Sequence, residues 1–329
     1  MIRLHFSAED LGRIRFAFSP VWEAVTSLRA LAASPRTGLH TPWIRRVSQL
    51  LDEPDMQLLT TVVRPVGYIP DFLHPTLGDR SPSFDDGAAE VSAADPQVVA
   101  AELSHLAEHP LAQRGEGRAR RVRMLRELSR SPEDALTRIV TELERYWNVA
   151  IRPFWPRIEA LLQADLSYRM DQLASGGVQQ LFATLHPSLT FNEDTLEIVK
   201  YYDGYAELRR RGLLLIPCVF AWPDVIVRTA DPQPAVTYAP RGVGLLWEAE
   251  PSTHKSPLGD VLGRSRAAIL AQLDLPMSTT QLAAQFDRSA PTINTHLKSL
   301  QAVGIVSARR DGQTVLYSRT ELGDSLLAG

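Results

Sequence analysis

Residues 289–305 read SAPTINTHLKSLQAVGI, and this stretch predicts the helix around which the rest of the chain is organised. Ser289 is a favourable N-cap, and Pro291 follows in the first turn, where its missing N–H leaves no helical hydrogen bond unmade. Apolar side chains then recur at i, i+4 and i+7, on one side of a helix: Ile293, Leu297 and Leu300. The stretch therefore predicts an amphipathic helix that packs its apolar side against a core.

The opposite side of this helix carries small and hydrogen-bonding side chains. At 100° per residue, Pro291, Thr295 and Lys298 lie opposite the apolar side. This side has no acidic residue, whereas a solvated helix usually carries acidic and basic residues paired four positions apart. Such a surface suits contact with phosphates and base edges. The predicted DNA contacts of the helix are Ser289, Thr292, Asn294, Thr295, Lys298 and Ser299.

Two further helices are predicted before this one. Ser278 caps a short helix over residues 279–286, and a helix of about a dozen residues with an apolar inner side precedes it. Gly304 is placed to end the helix of residues 289–302, because glycine adopts the left-handed conformation common after a helix C-terminus. This order predicts a helix-turn-helix, in which residues 289–302 form the recognition helix.

A β-hairpin is predicted after the recognition helix. Residues 305–310 and 313–318 read as strands, and Asp311-Gly312 between them is a strong signal for a two-residue hairpin turn. A hairpin in this place is the wing of a winged helix-turn-helix. The wing residues predicted to contact the DNA backbone are Arg309, Arg310 and Gln313.

Several short motifs of this region are shared with a known family. They are MSTTQLA at 277–283, THLKSL at 295–300, GIV at 304–306, RRDG at 309–312 and LY at 316–317. With them, residues 258–329 resemble the ArsR-type winged helix of bacterial transcription regulators. The resemblance implies a dimer that reads an inverted-repeat operator with the recognition helix. Metal-sensing members carry cysteines in the preceding helix, and residues 281–286 have none, so no metal or other cofactor is expected.

The composition predicts a cytoplasmic protein. The chain has 329 residues, one cysteine and no apolar run near the roughly 18–20 residues of a membrane span. Glu9 and Asp10 stand where a signal peptide would have its apolar core. The formal net charge is −3, yet five basic and two acidic residues lie between residues 278 and 319. This modest local excess is compatible with specific DNA binding and argues against a general nucleic-acid coat.

The sequence before the winged helix predicts an α+β domain. Helical patterns at about residues 20–33, 96–108, 131–147 and 158–170 precede five short strand patterns between residues 189 and 238, which predict an antiparallel sheet. The predicted domains are 1–250, for sensing and dimerisation, and 258–329, joined by a linker at 251–257. The front half is similar to that of uncharacterised actinobacterial regulators with this winged helix, a resemblance that names no ligand.

Other stretches allow a functional and a structural interpretation. The arginines between residues 113 and 123 could bind phosphate, although such runs are more often a solvated loop and helix face. His105 and His109 in an H-x-x-E-H pattern match an inverted zinc-peptidase motif, but Pro110 ends the helix that a zinc site needs. Cys218 lies among apolar residues, which indicates a buried thiol, with a redox sensor as the alternative.

These observations favour a DNA-binding transcriptional regulator, an effector-responsive repressor that acts as a homodimer and is not an enzyme. A small-molecule effector is expected to bind in residues 1–250, where all six tryptophans lie. Two alternatives remain open. The front domain could be a catalytic domain that the winged helix regulates, or the winged helix could bind a protein rather than DNA.

Overall fold

The computed structural model describes residues 1–32, 38–49, 53–74, 82–110, 112–113, 117–200, 202–229, 233–247, 257–273, 276–286, 288–311 and 314–328. The chain forms two compact units. The first unit contains residues 1–153 and 186–239, and the second contains residues 154–185 and 240–329. The predicted domains, 1–250 and 258–329, are segments expected to fold independently, and their boundaries stay a prediction. Residues 251–256 of the predicted linker lie outside the described residues.

Helices form most of the first unit before residue 153. They are α1 (Ala8–Leu11), α2 (Pro20–Ala32), α3 (Thr41–Ser48), α4 (Glu53–Val62), α5 (Phe84–Ser92), α6 (Pro96–Glu108), α7 (Arg118–Arg130) and α8 (Pro132–Tyr146). A π-helical turn at Trp147–Ile151 and a 3-10 turn at Arg152–Phe154 follow α8. The predicted cap Asp95 accepts a hydrogen bond from the Gln97 N–H, so α6 begins where the sequence indicated.

The core of the first unit is organised around α2, which is buried along nearly its whole length. Trp22 of α2 is buried and its Nε1 donates to Thr237 Oγ1 at 3.0 Å. Trp43 is also buried, and its Nε1 donates to the Ala150 carbonyl at 2.9 Å. A buried indole needs such a partner, because an unpaired N–H would lose its hydrogen bond to water.

The strands of the first unit form two four-stranded sheets. They are β1 (Ile2–His5), β2 (Arg15–Phe16), β3 (Leu189–Asn192), β4 (Thr195–Ile198), β5 (Gly204–Glu207), β6 (Leu214–Pro217), β7 (Ile226–Arg228) and β8 (Ala235–Tyr238). One sheet has the order β3-β4-β1-β5 and the other β2-β6-β8-β7.

The predicted antiparallel sheet was wrong, since both sheets are mixed. β1 pairs parallel with β5, β2 with β6, and β6 with β8. The reason is that β1 and β2, from the N-terminus, lie beside strands about two hundred residues later in the chain. The α+β class is confirmed, with a helical region, then strands, then helices and a small sheet.

The second unit begins with α9 (Trp155–Leu185), which is broken at Gly177. Gly177 has φ 66° and ψ −168°, a conformation essentially confined to glycine. Nη1 of Arg169, before the break, donates to Oγ1 of Thr184, after it, at 2.9 Å. A straight helix would separate these residues by about 22 Å. The chain therefore folds back on itself at Gly177.

The rest of the second unit is the winged helix. Its elements are α10 (Pro257–Leu262), α11 (Arg264–Gln272), β9 (Met277–Ser278), α12 (Thr279–Phe286), α13 (Ala290–Ala302), β10 (Val306–Asp311), β11 (Thr314–Arg319) and α14 (Glu321–Ala328). The sheet has the order β10-β11-β9, with both pairs antiparallel. In the part of the chain that the structure describes, no helix combines the length and apolar character of a membrane span.

Candidate nucleic-acid interface

The recognition helix is α13, and it forms as the sequence predicts. The Ser289 side chain accepts a hydrogen bond from the Thr292 N–H at 3.4 Å, and Pro291 lies in the first turn. The apolar side is buried, and it comprises Ile293, Leu297 and Leu300. This side packs against α11 and α12, so the opposite side of the helix is left to solvent.

The outer side of α13 exposes the predicted contact residues. Ser289, Thr292, Thr295, Lys298 and Ser299 are exposed, and Asn294 is half-buried. The Thr295 and Ser299 hydroxyls each donate to a helix carbonyl four residues earlier, at 3.0 Å, which leaves their oxygen lone pairs as acceptors. Lys298 is in no ion pair among the described residues, so its charge is available to a phosphate.

Gly304 sets the angle at which the chain leaves the recognition helix. It has φ 75°, its N–H donates to Gln301 O at 3.0 Å, and the Ile305 N–H donates to Leu300 O at 3.2 Å. These two bonds form a Schellman motif, in which a left-handed residue after the helix satisfies its last carbonyls. Ile305 and Val306 are buried, so the wing begins directly from the core.

The wing is the antiparallel pair of β10 and β11. The predicted hairpin turn at Asp311-Gly312 was wrong by one residue, because Asp311 belongs to β10 and pairs with Thr314 of β11. The predicted contact Gln313 lies outside the described residues. Arg309 and Arg310 are both exposed. Neighbouring side chains on a strand point to opposite faces, so the structure does not place these two arginines on one face of the wing.

Arg309 has an acidic partner that sequence analysis missed. Its Nη1 lies 3.3 Å from Oδ1 of Asp171 on α9, and both side chains are more than half exposed. The helix α9 also contacts α12, the first helix of the helix-turn-helix. Residues 155–185 therefore support the winged helix, although about seventy residues separate them from it in the sequence.

A buried polar cluster holds α9 in this unit. Asp165 and Arg169 are fully buried and form an ion pair at 3.5 Å, and the Arg241 N–H donates to Asp165 Oδ1 at 3.1 Å. Arg169 also donates to Gln172 Oε1 at 2.9 Å. Spacing of i, i+4 and i+7 for Asp165, Arg169 and Gln172 was a detectable signal, because polar residues at this spacing lie on one helix face.

Two other candidate sites, the H-x-x-E-H pattern and Cys218, lack features that their proposed functions need. The H-x-x-E-H helix α6 ends at Glu108, and no group of three His, Cys, Asp or Glu side chains there is arranged to hold a metal. Cys218 is buried with its Sγ 3.2 Å from a Glu23 carboxyl oxygen. Burial and this carboxyl raise the pKa of the Cys218 thiol, which argues against a reactive redox sensor.

Comparison with known proteins finds two family matches in the chain. Residues 264–307, from α11 into β10, match a family described as a helix-turn-helix domain, which is of the ArsR type. Residues 84–242 match a family of unknown function, DUF5937. No curated protein and no solved structure matches the chain. The predicted winged-helix identity is confirmed, and the helix-turn-helix supports DNA binding and transcription regulation as the general function.

Proposed function

We propose that this regulator is an effector-responsive repressor that binds an inverted-repeat operator as a homodimer. The observation that carries the proposal is the outer side of α13, which is exposed, hydrogen-bonding and without an acidic residue. The proposed contacts are Ser289, Thr292, Asn294, Thr295, Lys298 and Ser299 from the helix, and Arg309, Arg310 and Gln313 from the wing.

The chemistry of this surface divides between backbone and base contacts. Lys298 is a point charge that suits a phosphate, and the N-terminal turn of α13 adds the positive end of the helix dipole. Asn294 is the proposed base reader, because an amide can donate to and accept from one base edge at once. The hydroxyl groups of Thr292 and Ser299 contact either a phosphate or a base edge. Phosphate contacts set the position of the helix, and base contacts supply sequence preference.

The size of the reading surface supports a dimer. One recognition helix of 13 residues covers only a few base pairs of the major groove. Two copies related by a two-fold axis read two half-sites, and their contributions to affinity combine. An inverted repeat is the DNA symmetry that such a dimer requires.

The effector part of the proposal is supported by a cleft in the first unit. The cleft has a volume of about 440 Å³, within the range of small-molecule sites. The Phe84 and Trp147 rings, stacked with centroids 4.6 Å apart, contribute to its lining. Its lining residues are Ser83, Phe84, Asp85, Glu144, Trp147, Asn148 and Arg152. An effector acting there is expected to change operator affinity by about 5- to 150-fold, the usual range of coupling between sites.

The deciding experiment is a fluorescence-anisotropy titration of the full chain. The probe is a labelled duplex from the region upstream of its own gene, with a scrambled duplex as control, at two salt concentrations. Wild-type protein is expected to prefer the native duplex. Lys298→Ala is expected to weaken that binding, whereas Arg209→Gln, at an exposed site of the first unit, removes the same charge without effect.

The same titration separates the alternatives. Equal and weak binding to both duplexes would contradict sequence-specific reading by α13. In that case a protein-binding winged helix, or a catalytic first unit that the winged helix regulates, becomes the better explanation. The proposal assigns no catalytic activity to the chain.

A further inference from the structure

The helix α7 carries an unusual concentration of positive charge. Six of its 13 residues are arginine, and only Glu127 is acidic, in a chain whose formal net charge is −3. Five of the arginines are exposed and Arg121 is half-buried. The arginines are Arg118, Arg120, Arg121, Arg123, Arg126 and Arg130.

Three of these arginines form a line on the outer side of α7. Leu125 and Leu128 are buried beneath the helix, and Arg123, Arg126 and Arg130 follow one another at spacings of three and four residues. These spacings place the three side chains on one face, over about 10 Å of helix axis. We call Arg123, Arg126 and Arg130 the basic stripe.

Little negative charge compensates the basic stripe. Arg123 Nε lies 3.9 Å from Glu127, and both side chains are more than 60% exposed, a pair of small energetic value. Arg126 and Arg130 form no ion pair among the residues that the structure describes. The next acidic residues in the chain, Glu133 and Asp134, lie in the first turn of α8, where the helix dipole favours them.

This charge opposes the stability of α7. Like charges four residues apart destabilise a helix by roughly 0.2–0.5 kcal/mol per pair. The first turn of α7 has arginines and no acidic residue, so its charge opposes the positive end of the helix dipole. The N-cap residue, Gly117, has no side chain that could cap the helix. Burial, and then the charge of Arg121, lowers the pKa of the nearby Arg64 guanidinium. A polyanionic partner would offset this cost by neutralising the arginines.

We propose that the basic stripe of α7 binds the phosphate backbone of double-stranded DNA, as a second DNA-contact surface in addition to the winged helix. The proposal rests on DNA binding as proposed above, and it extends that binding to the first unit. The stripe shares only Arg123 with the arginines of residues 113–123, for which the sequence favoured a solvated loop and helix face. Arg114, part of that stretch, lies outside the described residues.

Two features favour DNA over other polyanions. Arginine forms paired hydrogen bonds with phosphate, and the stripe repeats the same charge along a line, as a strand of DNA does. A helix that lies on anionic lipid needs exposed apolar side chains beside its charges, but Leu125 and Leu128 are buried. Phosphate contacts carry no sequence information, so the stripe should strengthen binding to any duplex equally.

The test compares two triple variants of the full chain. Arg123→Gln, Arg126→Gln and Arg130→Gln together remove the stripe. The matched control combines Arg3→Gln, Arg209→Gln and Arg210→Gln, which remove the same charge from exposed arginines of the first unit beside Glu197, Glu207 and Glu9. Anisotropy titrations with native and scrambled duplexes are run from about 50 to 200 mM salt, where phosphate contacts dominate the change in affinity.

The expected result is a smaller salt dependence in the stripe variant. The negative slope of log K, where K is the binding constant, against log salt concentration should become shallower by about 2–3. This is roughly 0.9 for each phosphate that the variant no longer neutralises. Affinity at about 0.1 M salt should fall by roughly tenfold or more on both duplexes. The control variant should stay within about twofold of wild type, and an Arg→Lys triple variant of the stripe should keep the wild-type slope.

Each other result has a definite meaning. An unchanged slope in the stripe variant, with binding that Lys298→Ala still weakens, overturns the second surface and leaves the proposed function intact. An equal loss of affinity in the control variant also overturns the second DNA-contact surface, because net charge alone would then explain the effect. If wild-type protein binds neither duplex, both proposals fail. Thermal unfolding of every variant checks that the first unit remains folded.

Discussion

Glu23 of α2 has its carboxyl group fully buried. The carboxyl accepts hydrogen bonds from the Val219 N–H at 2.7 Å, the Phe220 N–H at 3.4 Å and the Cys218 thiol. Burial raises the pKa of Glu23 to about 7, and the hydrogen bonds from Val219, Cys218 and Phe220 oppose this rise. The folded state therefore holds a proton that the unfolded state releases near pH 4.5.

This carboxyl should make stability depend on pH. Between about pH 4.5 and 7 the folded state binds more protons than the unfolded state, so the free energy of unfolding falls as pH rises. The stabilisation that disappears across that window is roughly 3 kcal/mol. Urea unfolding followed by tryptophan fluorescence at pH 5 and pH 8 measures it in wild type and in Glu23→Gln. A fall in stability that is equally steep in both proteins would contradict the prediction.

At the scale of single elements, the break in α9 depends on one glycine. A Cβ at Gly177 would meet no atom within 4 Å, so the cost of a side chain there is conformational only. Gly177→Ala should destabilise the second unit by about 1–3 kcal/mol, because φ of 66° with ψ of −168° is strained for alanine. Gly12→Ala is the control, because Gly12 has φ −75° and room for a Cβ. Equal melting temperatures for the two variants would argue against the strain.

The ion pair between α9 and the wing should weaken DNA binding. Asp171 forms an ion pair with Arg309, and this pair competes with the phosphate contact proposed for Arg309. An exposed ion pair of this kind contributes roughly 0.2–1 kcal/mol. Asp171→Asn should therefore tighten duplex binding by up to about fivefold. Asp324→Asn makes the same charge change beside Arg319, which is not a proposed contact, and controls for net charge. Similar gains in both variants would show that Arg309 is not the cause.

At the scale of the whole molecule, the proposed homodimer predicts the symmetry of the operator. A footprint of the native site should be two-fold symmetric, with half-site centres about 34–36 Å or a multiple apart. Inserting about five base pairs between the half-sites turns one of them to the other side of the duplex, and should lower affinity at least tenfold. Sedimentation equilibrium measures the oligomer directly. A monomer at micromolar concentration that protects an asymmetric site would contradict the proposal.

Local signals in the sequence predicted the helix and the hairpin of the candidate interface. Ser289, Gly304 and the spacing of Ile293, Leu297 and Leu300 predicted the recognition helix, its ends and its buried side. The Asp311-Gly312 pair likewise predicted the hairpin that β10 and β11 form, although each strand begins and ends one residue later than predicted. These predictions succeed because caps, turns and helix periodicity depend on residues only a few positions apart.

Contacts between distant segments were decided by tertiary structure alone. The parallel pairing of β1 with β5, the support of α12 by α9 and the pairing of Asp171 with Arg309 each join residues more than ninety positions apart. The hydrophobic pattern of a strand indicates which of its residues are buried, but not which strand pairs with it. Likewise, the sequence does not indicate which acidic residue pairs with an exposed arginine. The amino-acid sequence by itself therefore determined the helix that is proposed to face DNA. Long-range packing decided which segments hold that helix and its wing in place. The reason is that these contacts depend on which apolar surfaces remain exposed after the local elements have formed.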